Sequence, residues 1–204
     1  MRSTSHWVVP PGPAERGLRI GLLGGSFNPA HEGHLYASLV ALKKLKLDYV
    51  WWLVSPGNPL KSTADLADML TRLGGAADMA RHPRIRVTDI ESRLGTRYTI
   101  DTVAALQRRF PGVTFVWLMG SDNLAQFPRW RRWQDIVAKV PIAVVRRPGS
   151  ALASLNAAPV RRFGLAPALK PPPAILMLDG SRNPQSSTAL RRMAAALEPR
   201  LPPC

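Results

Sequence analysis

Residues 18–34 read LRIGLLGGSFNPAHEGH and join an apolar run, a pair of glycines and the start of a helical pattern. The run at residues 18–24 is mostly apolar and ends on glycine, which predicts a buried first strand. Leucines then recur mostly three or four positions apart through residues 31–47, so we expect an amphipathic helix to follow. A strand that leads directly into a helix is the first half of a βαβ unit.

Further apolar runs and helical patterns alternate along the rest of the chain. Strands are predicted at residues 49–54, 85–88, 113–119, 142–145 and 175–178, and helices at residues 66–73, 100–109, 122–126, 133–139 and 187–197. Gly74 and Gly75 are expected to weaken or end the helix at 66–73. Strands without polar alternation, separated by helices, predict an α/β fold: a Rossmann-like, doubly wound parallel sheet with helices on both faces. Ligands of such sheets bind beyond the carboxyl ends of the strands, here the loops at residues 24–34, 54–61, 91–98 and 120–130.

The composition suits one globular domain. Of 204 residues, 46% are hydrophobic and 20% charged, which excludes disorder of the whole chain. We expect a frayed, proline-containing tail at residues 1–17 and a single domain at 18–204, with a long excursion at 150–173. We expect neither a membrane span nor a secretory signal. Cys204 is the single cysteine, which excludes an intramolecular disulfide and a cysteine metal cluster. These features predict a cytoplasmic protein.

The chain is strongly basic. Lys and Arg outnumber Asp and Glu by 28 to 13, a net charge of +15. Such a field recruits anions, among them nucleotides and nucleic acid. The basic residues are spread along the sequence, so an arginine-rich surface without a specific partner explains the charge equally well.

The loop at residues 24–34 carries the chemistry. Its glycines fit neither a dinucleotide-binding GxGxxG nor a P-loop GxxxxGK. Paired glycines let backbone N–H groups approach an anion closely, and His31 and His34 share one face of a helix start, where positive potential is concentrated. We interpret the loop as a cradle for a triphosphate. A metal site is the alternative, but HEGH is not HExxH and no third ligand stands out. We interpret His6 and His82 as surface or core residues.

The same loop, GGSFNPAHEGH, resembles the GxFxPxHxGH signature of the nucleotidyltransferase superfamily of Rossmann-like adenylyl- and cytidylyltransferases. A second stretch, SSTALR at residues 186–191, resembles the SSTxxR motif of that superfamily. Its hydroxyls can cap the last predicted helix while its arginine reaches phosphate oxygens. Asn28 departs from the commoner aspartate, and Gln185 stands where isoleucine usually precedes SST.

Three further segments narrow the resemblance to the bacterial nicotinate-nucleotide adenylyltransferases. They are RYTIDT at 97–102, GSDNL at 120–124 followed by Phe127 and Trp130, and RRPG at 146–149. The phosphopantetheine adenylyltransferases fit less well because they carry threonine at the position of His31. The resemblance extends from about Arg19 to Met193, most of the chain.

The resemblance implies transfer of AMP from ATP to nicotinate mononucleotide, with deamido-NAD and pyrophosphate as products and Mg²⁺ arriving with ATP. It places His31, His34 and Arg191 in catalysis, and a protonated imidazole is expected to serve phosphate best. The groups implied to bind ATP are the backbone at Gly25, Ser26 and Phe27, the side chains of Ser187 and Thr188, and Arg191.

The implied mononucleotide site lies elsewhere in the sequence. Trp130 would stack on the pyridine ring, Tyr98 and Thr99 would bind its carboxylate, Asp122 a ribose hydroxyl and Lys61 a phosphate. A core or interface role is the alternative for Trp130, and a solvated lysine for Lys61. Trp51, Trp52 and Trp117 lie within predicted strands and are expected in the core.

Two other functions stay open at this point. The acceptor could be nicotinamide mononucleotide, although backbone donors at Thr99 favour an anionic substituent on the ring. A non-catalytic, basic nucleic-acid-binding protein would explain the charge, yet it lacks a recognised motif outside residues 129–133 and leaves the histidine pair unexplained. We therefore expect ATP and nicotinate mononucleotide as partners, and neither nucleic acid nor membrane. The sequence predicts no particular oligomeric state.

Overall fold

The computed structural model describes residues 9–57, 66–146 and 155–179. Its strands form one parallel sheet in the order β3-β2-β1-β4-β5-β6. They are β1 (Arg19–Gly25), β2 (Tyr49–Val54), β3 (Ile85–Thr88), β4 (Thr114–Gly120), β5 (Ile142–Val145) and β6 (Ile175–Leu178). The helices are α1 (Glu32–Lys44), α2 (Met69–Met79), α3 (Ile90–Leu94), α4 (Thr99–Arg109), α5 (Ser121–Gln126), α6 (Trp133–Lys139) and α7 (Ala158–Phe163), with a 3₁₀ turn at Phe127–Arg129.

Helices cover both faces of the sheet, as the apolar strands require. Apolar side chains of α1 and α2 pack against one face, and those of α3, α4 and α6 against the other. Neighbouring residues of β2 point to opposite faces, so Trp51 joins the α4 side and Trp52 the α1 side. Trp51, Trp52 and Trp117 are all buried, as expected. The predicted doubly wound sheet is therefore confirmed.

The strands follow the sequence closely, but two helical regions do not. The helix predicted at 66–73 begins at Met69 and continues through Gly74 and Gly75 to Met79, so the glycines do not end it. Each helical glycine costs about 1 kcal/mol relative to alanine, but both lie on the exposed side, while Arg72 and Ala76 are buried to either side of them.

Helix α3, at Ile90–Leu94, overlaps the loop that the sequence predicts at residues 91–98. Its five residues are too few to show a period in the sequence. Its first two residues, Ile90 and Glu91, are buried. Gly95 ends the helix in the left-handed conformation, with φ of 64°.

The stretch before β1 is docked onto the domain from residue 9 onward. The N–H of Gly17 donates to the carbonyl of Gly112 at 2.9 Å, and the guanidinium of Arg93 donates to the carbonyl of Val9 at 3.1 Å. Ala14 packs against the core on the α4 side. Residues 9–17 are thus held in place, contrary to the expected fraying, and residues 1–8 lie outside the described part of the chain.

The predicted excursion is described from residue 155 and contains α7. Phe163 of that helix meets Trp133 edge-on at 5.9 Å between ring centroids, and the N–H of Ala166 donates to the carbonyl of Ile175 at 2.8 Å. The helix predicted at 187–197 lies outside the described residues. Among the helices that the structure describes, none has the length and apolar character needed to cross a membrane.

Candidate active site

The carboxyl edge of the sheet opens beside β1. This strand pairs with β2 on one side and β4 on the other. The strand order therefore reverses between β1 and β4, which is where sheets of this kind form the crevice that binds ligands. The loop 24–34 leaves β1 at this edge. Helices α4 and α6 run back antiparallel to the strands, so their first residues lie at the same edge, next to Tyr98 and Trp130.

His31 and His34 cap the first turn of α1 reciprocally. Nδ1 of His31, the N-cap residue, accepts the N–H of Gly33 at 3.1 Å, and the N–H of His31 donates to Nδ1 of His34 at 3.3 Å. A nitrogen that accepts an N–H carries no proton, so each neutral ring bears its proton on Nε2. Protonation of Nδ1 would set two donors against each other. In this geometry the proton of each neutral ring lies on Nε2. The expectation that an imidazolium serves phosphate best stays a prediction.

Aromatic packing fixes the orientation of the pair. The two imidazole centroids are 3.9 Å apart, and the ring of His34 lies 4.7 Å from that of Phe27. Phe27 in turn stacks on Trp52 at 5.0 Å. The indole N–H of Trp52 donates to Oγ of Ser38 at 2.8 Å, and that hydroxyl donates to the carbonyl of His34 at 2.9 Å. His31 is 3% exposed, so both rings are ordered before any ligand binds.

The loop after β1 is tightly constrained. A Cβ on Gly24 would lie 2.7 Å from the indole of Trp117, so only glycine fits there. The carbonyl of Gly25 accepts the N–H of Ser55 at 2.9 Å. Phe27 is buried in the left-handed region, with φ of 48°, a conformation that a non-glycine residue holds only when its surroundings fix it.

Arg72 is a site residue that the sequence interpretation missed. Its side chain, on α2, is 4% exposed and donates to the carbonyls of Ser26 at 2.9 Å, Ser55 at 2.8 Å and Ala67 at 2.8 Å. Burial lowers the pKa of this guanidinium, which the charge of Asp68 partly offsets. The sequence does hold a sign of this burial. Arg72 lies on the same face of the helix as Met69 and Ala76, where a residue of the core is expected.

Tyr98, Trp130 and Arg131 form a second part of the edge. Trp130 is half-buried and meets Trp117 edge-on at 6.0 Å and Phe127 at 5.3 Å. The guanidinium of Arg131 lies 4.6 Å from the centre of the Tyr98 ring, a cation–π contact. The ring of Trp117 lies against Gly24 as well as Trp130, so it connects the loop at residues 24–34 with Trp130. The packing of Trp130 is partly that of a core residue, and its stacking role stays a prediction.

Glu91 supports the turn that carries Tyr98 and Thr99. Burial raises the pKa of its carboxyl to about 7, although the Thr102 hydroxyl donates to it at 2.9 Å and lowers the pKa somewhat. The same hydroxyl lies 2.9 Å from that of Thr96 and 3.3 Å from the carbonyl of Tyr98. The sequence interpretation did not single out Glu91.

Of the remaining predicted site residues, the structure describes two, and four lie outside its described part. Thr99 opens α4 and is half-buried, and Asp122 is exposed in the first turn of α5. Lys61, Ser187, Thr188 and Arg191 lie outside the described residues. The structure thus brings Ser26, Phe27, His31 and His34 into one group, and Tyr98 and Trp130 into another that Trp117 connects with it.

Comparison with known proteins gives a consistent result. Residues 22–193 match the Cytidylyltransferase-like family. A probable nicotinate-nucleotide adenylyltransferase of Parvibaculum lavamentivorans is 57% identical over 184 residues, which are 86% of this chain and 92% of the relative. The protein of the same description from Cereibacter sphaeroides is 54% identical over 178 residues, 84% of this chain and 96% of the relative. The chain belongs to the nicotinate-nucleotide adenylyltransferase family. The resemblance seen in the sequence motifs is therefore confirmed.

Solved structures show the same fold. The nicotinic acid mononucleotide adenylyltransferase of Plasmodium falciparum, complexed with NaAD, superposes with a TM-score of 0.66 over 86% of this chain and 83% of that one, at 17% identity. A putative nicotinate-nucleotide adenylyltransferase from Vibrio parahaemolyticus gives a TM-score of 0.54 over 86% of this chain and 79% of its own. The family's Rossmann-like architecture thus matches the sheet described above.

Proposed function

We propose that the protein transfers AMP from ATP to nicotinate mononucleotide and releases deamido-NAD and pyrophosphate. The reciprocal capping of α1 by His31 and His34 carries this proposal, because it holds two imidazoles side by side at a helix N-terminus, where anions bind, next to the loop that leaves β1. Relatives that are 54–57% identical over most of their length are described as probable enzymes of this activity, which supports the assignment.

The chemistry needs little from the protein beyond positioning and charge stabilisation. An oxygen of the mononucleotide phosphate forms a bond to the α-phosphorus of ATP as the bond from that phosphorus to the bridging oxygen breaks, and pyrophosphate leaves with the electron pair. In this proposal His31 and His34 donate to phosphate oxygens through Nε2, with backbone N–H groups at Ser26 and Phe27. A phosphate monoester is already a sufficient nucleophile, so no covalent intermediate is required.

Mg²⁺ is expected to enter with ATP, held mainly by phosphate oxygens, because it prefers oxygen ligands in octahedral geometry. Both Nδ1 atoms of the histidine pair are engaged by backbone N–H groups. Among the described residues no three His, Cys, Asp or Glu side chains are grouped as metal ligands. When bound, an ion carried by the substrate would neutralise phosphate charge.

The ring pocket and the polyphosphate clamp complete the proposal. Trp130 stacks on the pyridine ring, Tyr98 and Thr99 bind the carboxylate, and Asp122 binds a ribose hydroxyl. Arg191, Ser187 and Thr188 bind the ATP phosphates, and Lys61 binds phosphate. The family membership supports these roles, and the contact of Trp130 with Trp117, which also lies against Gly24, supports a ring pocket close to the loop at residues 24–34.

Product analysis tests the function. Purified protein is incubated with MgATP and either nicotinate or nicotinamide mononucleotide, and the dinucleotide and pyrophosphate are quantified. We expect the larger kcat/KM with the acid. Preference for the amide would change the acceptor. Absence of turnover with both, together with tight, salt-sensitive RNA or DNA binding, would replace the enzyme with a nucleic-acid-binding protein.

A further inference from the structure

Arg72 is a buried cation that donates to three main-chain oxygens, and its Nη2 also donates to Sδ of Met69 at 3.7 Å. Its Nη1 donates to the carbonyls of both Ser26 and Ser55, and its Nε donates to that of Ala67. The guanidinium therefore joins three segments: the loop after β1, the end of β2 and the approach to α2. A planar guanidinium can serve several acceptors at fixed angles, which a lysine ammonium cannot reproduce.

Two hydrogen bonds determine which way the peptide groups Gly25–Ser26 and Ser26–Phe27 face, and Arg72 donates the second. Both are trans, so the C=O and N–H of each point in opposite directions. In the first, the carbonyl of Gly25 is held by the N–H of Ser55, so the N–H of Ser26 points away from β2. In the second, the carbonyl of Ser26 is held by Arg72, so the N–H of Phe27 points away from α2. On the far side of β1 lies β4, and between β1 and β4 lies the crevice.

We propose that Arg72 is a positioning residue that aims the N–H groups of the loop after β1 at the phosphates of bound ATP. This inference rests on the proposed function. Without Arg72 the peptide between Ser26 and Phe27 is free to turn its carbonyl oxygen toward the phosphates, where two negative ends repel each other. With Arg72 in place, the donors are oriented before ATP arrives, which is the arrangement that stabilises developing charge most strongly.

Substitutions at Arg72 separate this role from general stability. Arg72→Lys keeps the positive charge but loses the planar guanidinium with its several N–H donors. Arg72→Met keeps a side chain of similar length but has no hydrogen-bond donor. For each variant, Kd is measured for ATP and for adenosine, which has no phosphates. We expect the Kd for ATP to rise about tenfold or more, because charge-assisted contacts are lost, while that for adenosine stays within about twofold. The kcat should fall with the KM for the mononucleotide nearly unchanged.

Arg84 supplies a matched control. Its side chain also donates to a backbone carbonyl, that of Leu47 at 3.3 Å, but at the opposite, amino-terminal edge of β2 and β3. Arg84→Lys and Arg84→Met should leave the ratio of the two dissociation constants unchanged. Wild-type ATP binding in Arg72→Lys, or equal weakening of ATP and adenosine in both Arg72 variants, would overturn the proposal.

Even if the variants fold poorly, a measurement on the wild-type protein tests whether the N–H groups of Ser26 and Phe27 meet the phosphates. The amide proton resonances of Ser26 and Phe27 are followed by NMR as ATP or adenosine is added. We expect downfield shifts of both with ATP and not with adenosine, and unshifted resonances with ATP would refute the inference. Formation of deamido-NAD by the wild-type protein is scored separately, so failure of the proposed function is distinguished from failure of the role of Arg72.

Discussion

The N–H of His31 donates to Nδ1 of His34, while Nδ1 of His31 accepts the N–H of Gly33, so the pair closes the first turn of α1 with its own side chains. The nitrogens that stabilise the helix are thus different from those proposed to meet phosphate. Each imidazole uses Nδ1 to hold the first turn of α1, and the proposed function assigns Nε2 the contact with phosphate.

His34→Ala should reduce kcat by about 10²–10³, because one donor to the transferring phosphate is lost. The loss of a capping contact should lower the free energy of unfolding by only about 1 kcal/mol. Steady-state kinetics and urea unfolding measure the two effects. His82→Ala is the control, since Nδ1 of His82 accepts the N–H of Arg84 at 3.2 Å far from the crevice. Equal kcat in wild type and His34→Ala would remove His34 from the mechanism.

Trp130→Ala should raise the KM for the mononucleotide and leave ATP affinity nearly unchanged, because the indole is proposed to stack on the pyridine ring. The control is Trp133→Ala, three residues further on, whose indole packs against Phe127 at 5.8 Å and Phe163 at 5.9 Å. That change should lower stability without a selective effect on the KM for the mononucleotide. A rise in the KM for ATP alone in Trp130→Ala would place the ring pocket elsewhere.

Glu91 should make the protein less stable as pH rises. Its folded pKa is about 7, above the ordinary 4.5, so between these values the folded state holds a proton that the unfolded state has released. Stability from this group is therefore full below about pH 4.5 and is lost as pH rises to about 7, by about 3 kcal/mol at most.

Glu91→Gln keeps an acceptor for Thr102 but cannot titrate, so its free energy of unfolding should vary less with pH over this range and exceed that of wild type at about pH 8. Denaturant unfolding at several pH values measures both curves. Glu15→Gln, at an exposed position, controls for the loss of one charge. Parallel curves for wild type and Glu91→Gln would show that Glu91 is ionised throughout.

Gly24→Ala should destabilise the protein by about 1–3 kcal/mol, since the new Cβ meets a buried indole ring with little room to move. Gly74→Ala should instead stabilise it by about 0.5–1 kcal/mol, because nothing lies within 4 Å of that Cβ and alanine favours the helix. Guanidinium unfolding of the two variants gives the comparison. Stabilisation by Gly24→Ala would mean that the ring of Trp117 can shift aside.

Features that depend on residues close together in the sequence could be predicted, whereas those that depend on contacts between distant residues could not. The run YVWWLV gave the bounds of β2 because a buried parallel strand needs nothing but apolar residues. The histidine spacing predicted a shared face, yet the tautomers depend on where the N–H of Gly33 points, which spacing does not encode. Arg72 could not be placed, because its acceptor on Ser26 lies 46 positions away and belongs to the main chain, which every residue carries.

The docking of residues 9–17 bears on how shortened versions of the protein should be cut. Removal of residues 1–8 preserves the bonds that join Val9 to Arg93 and Gly17 to Gly112, whereas a start at Leu18 severs both and uncovers the core beside Ala14. A recombinant variant designed for crystallography or NMR should therefore begin at Val9 or earlier.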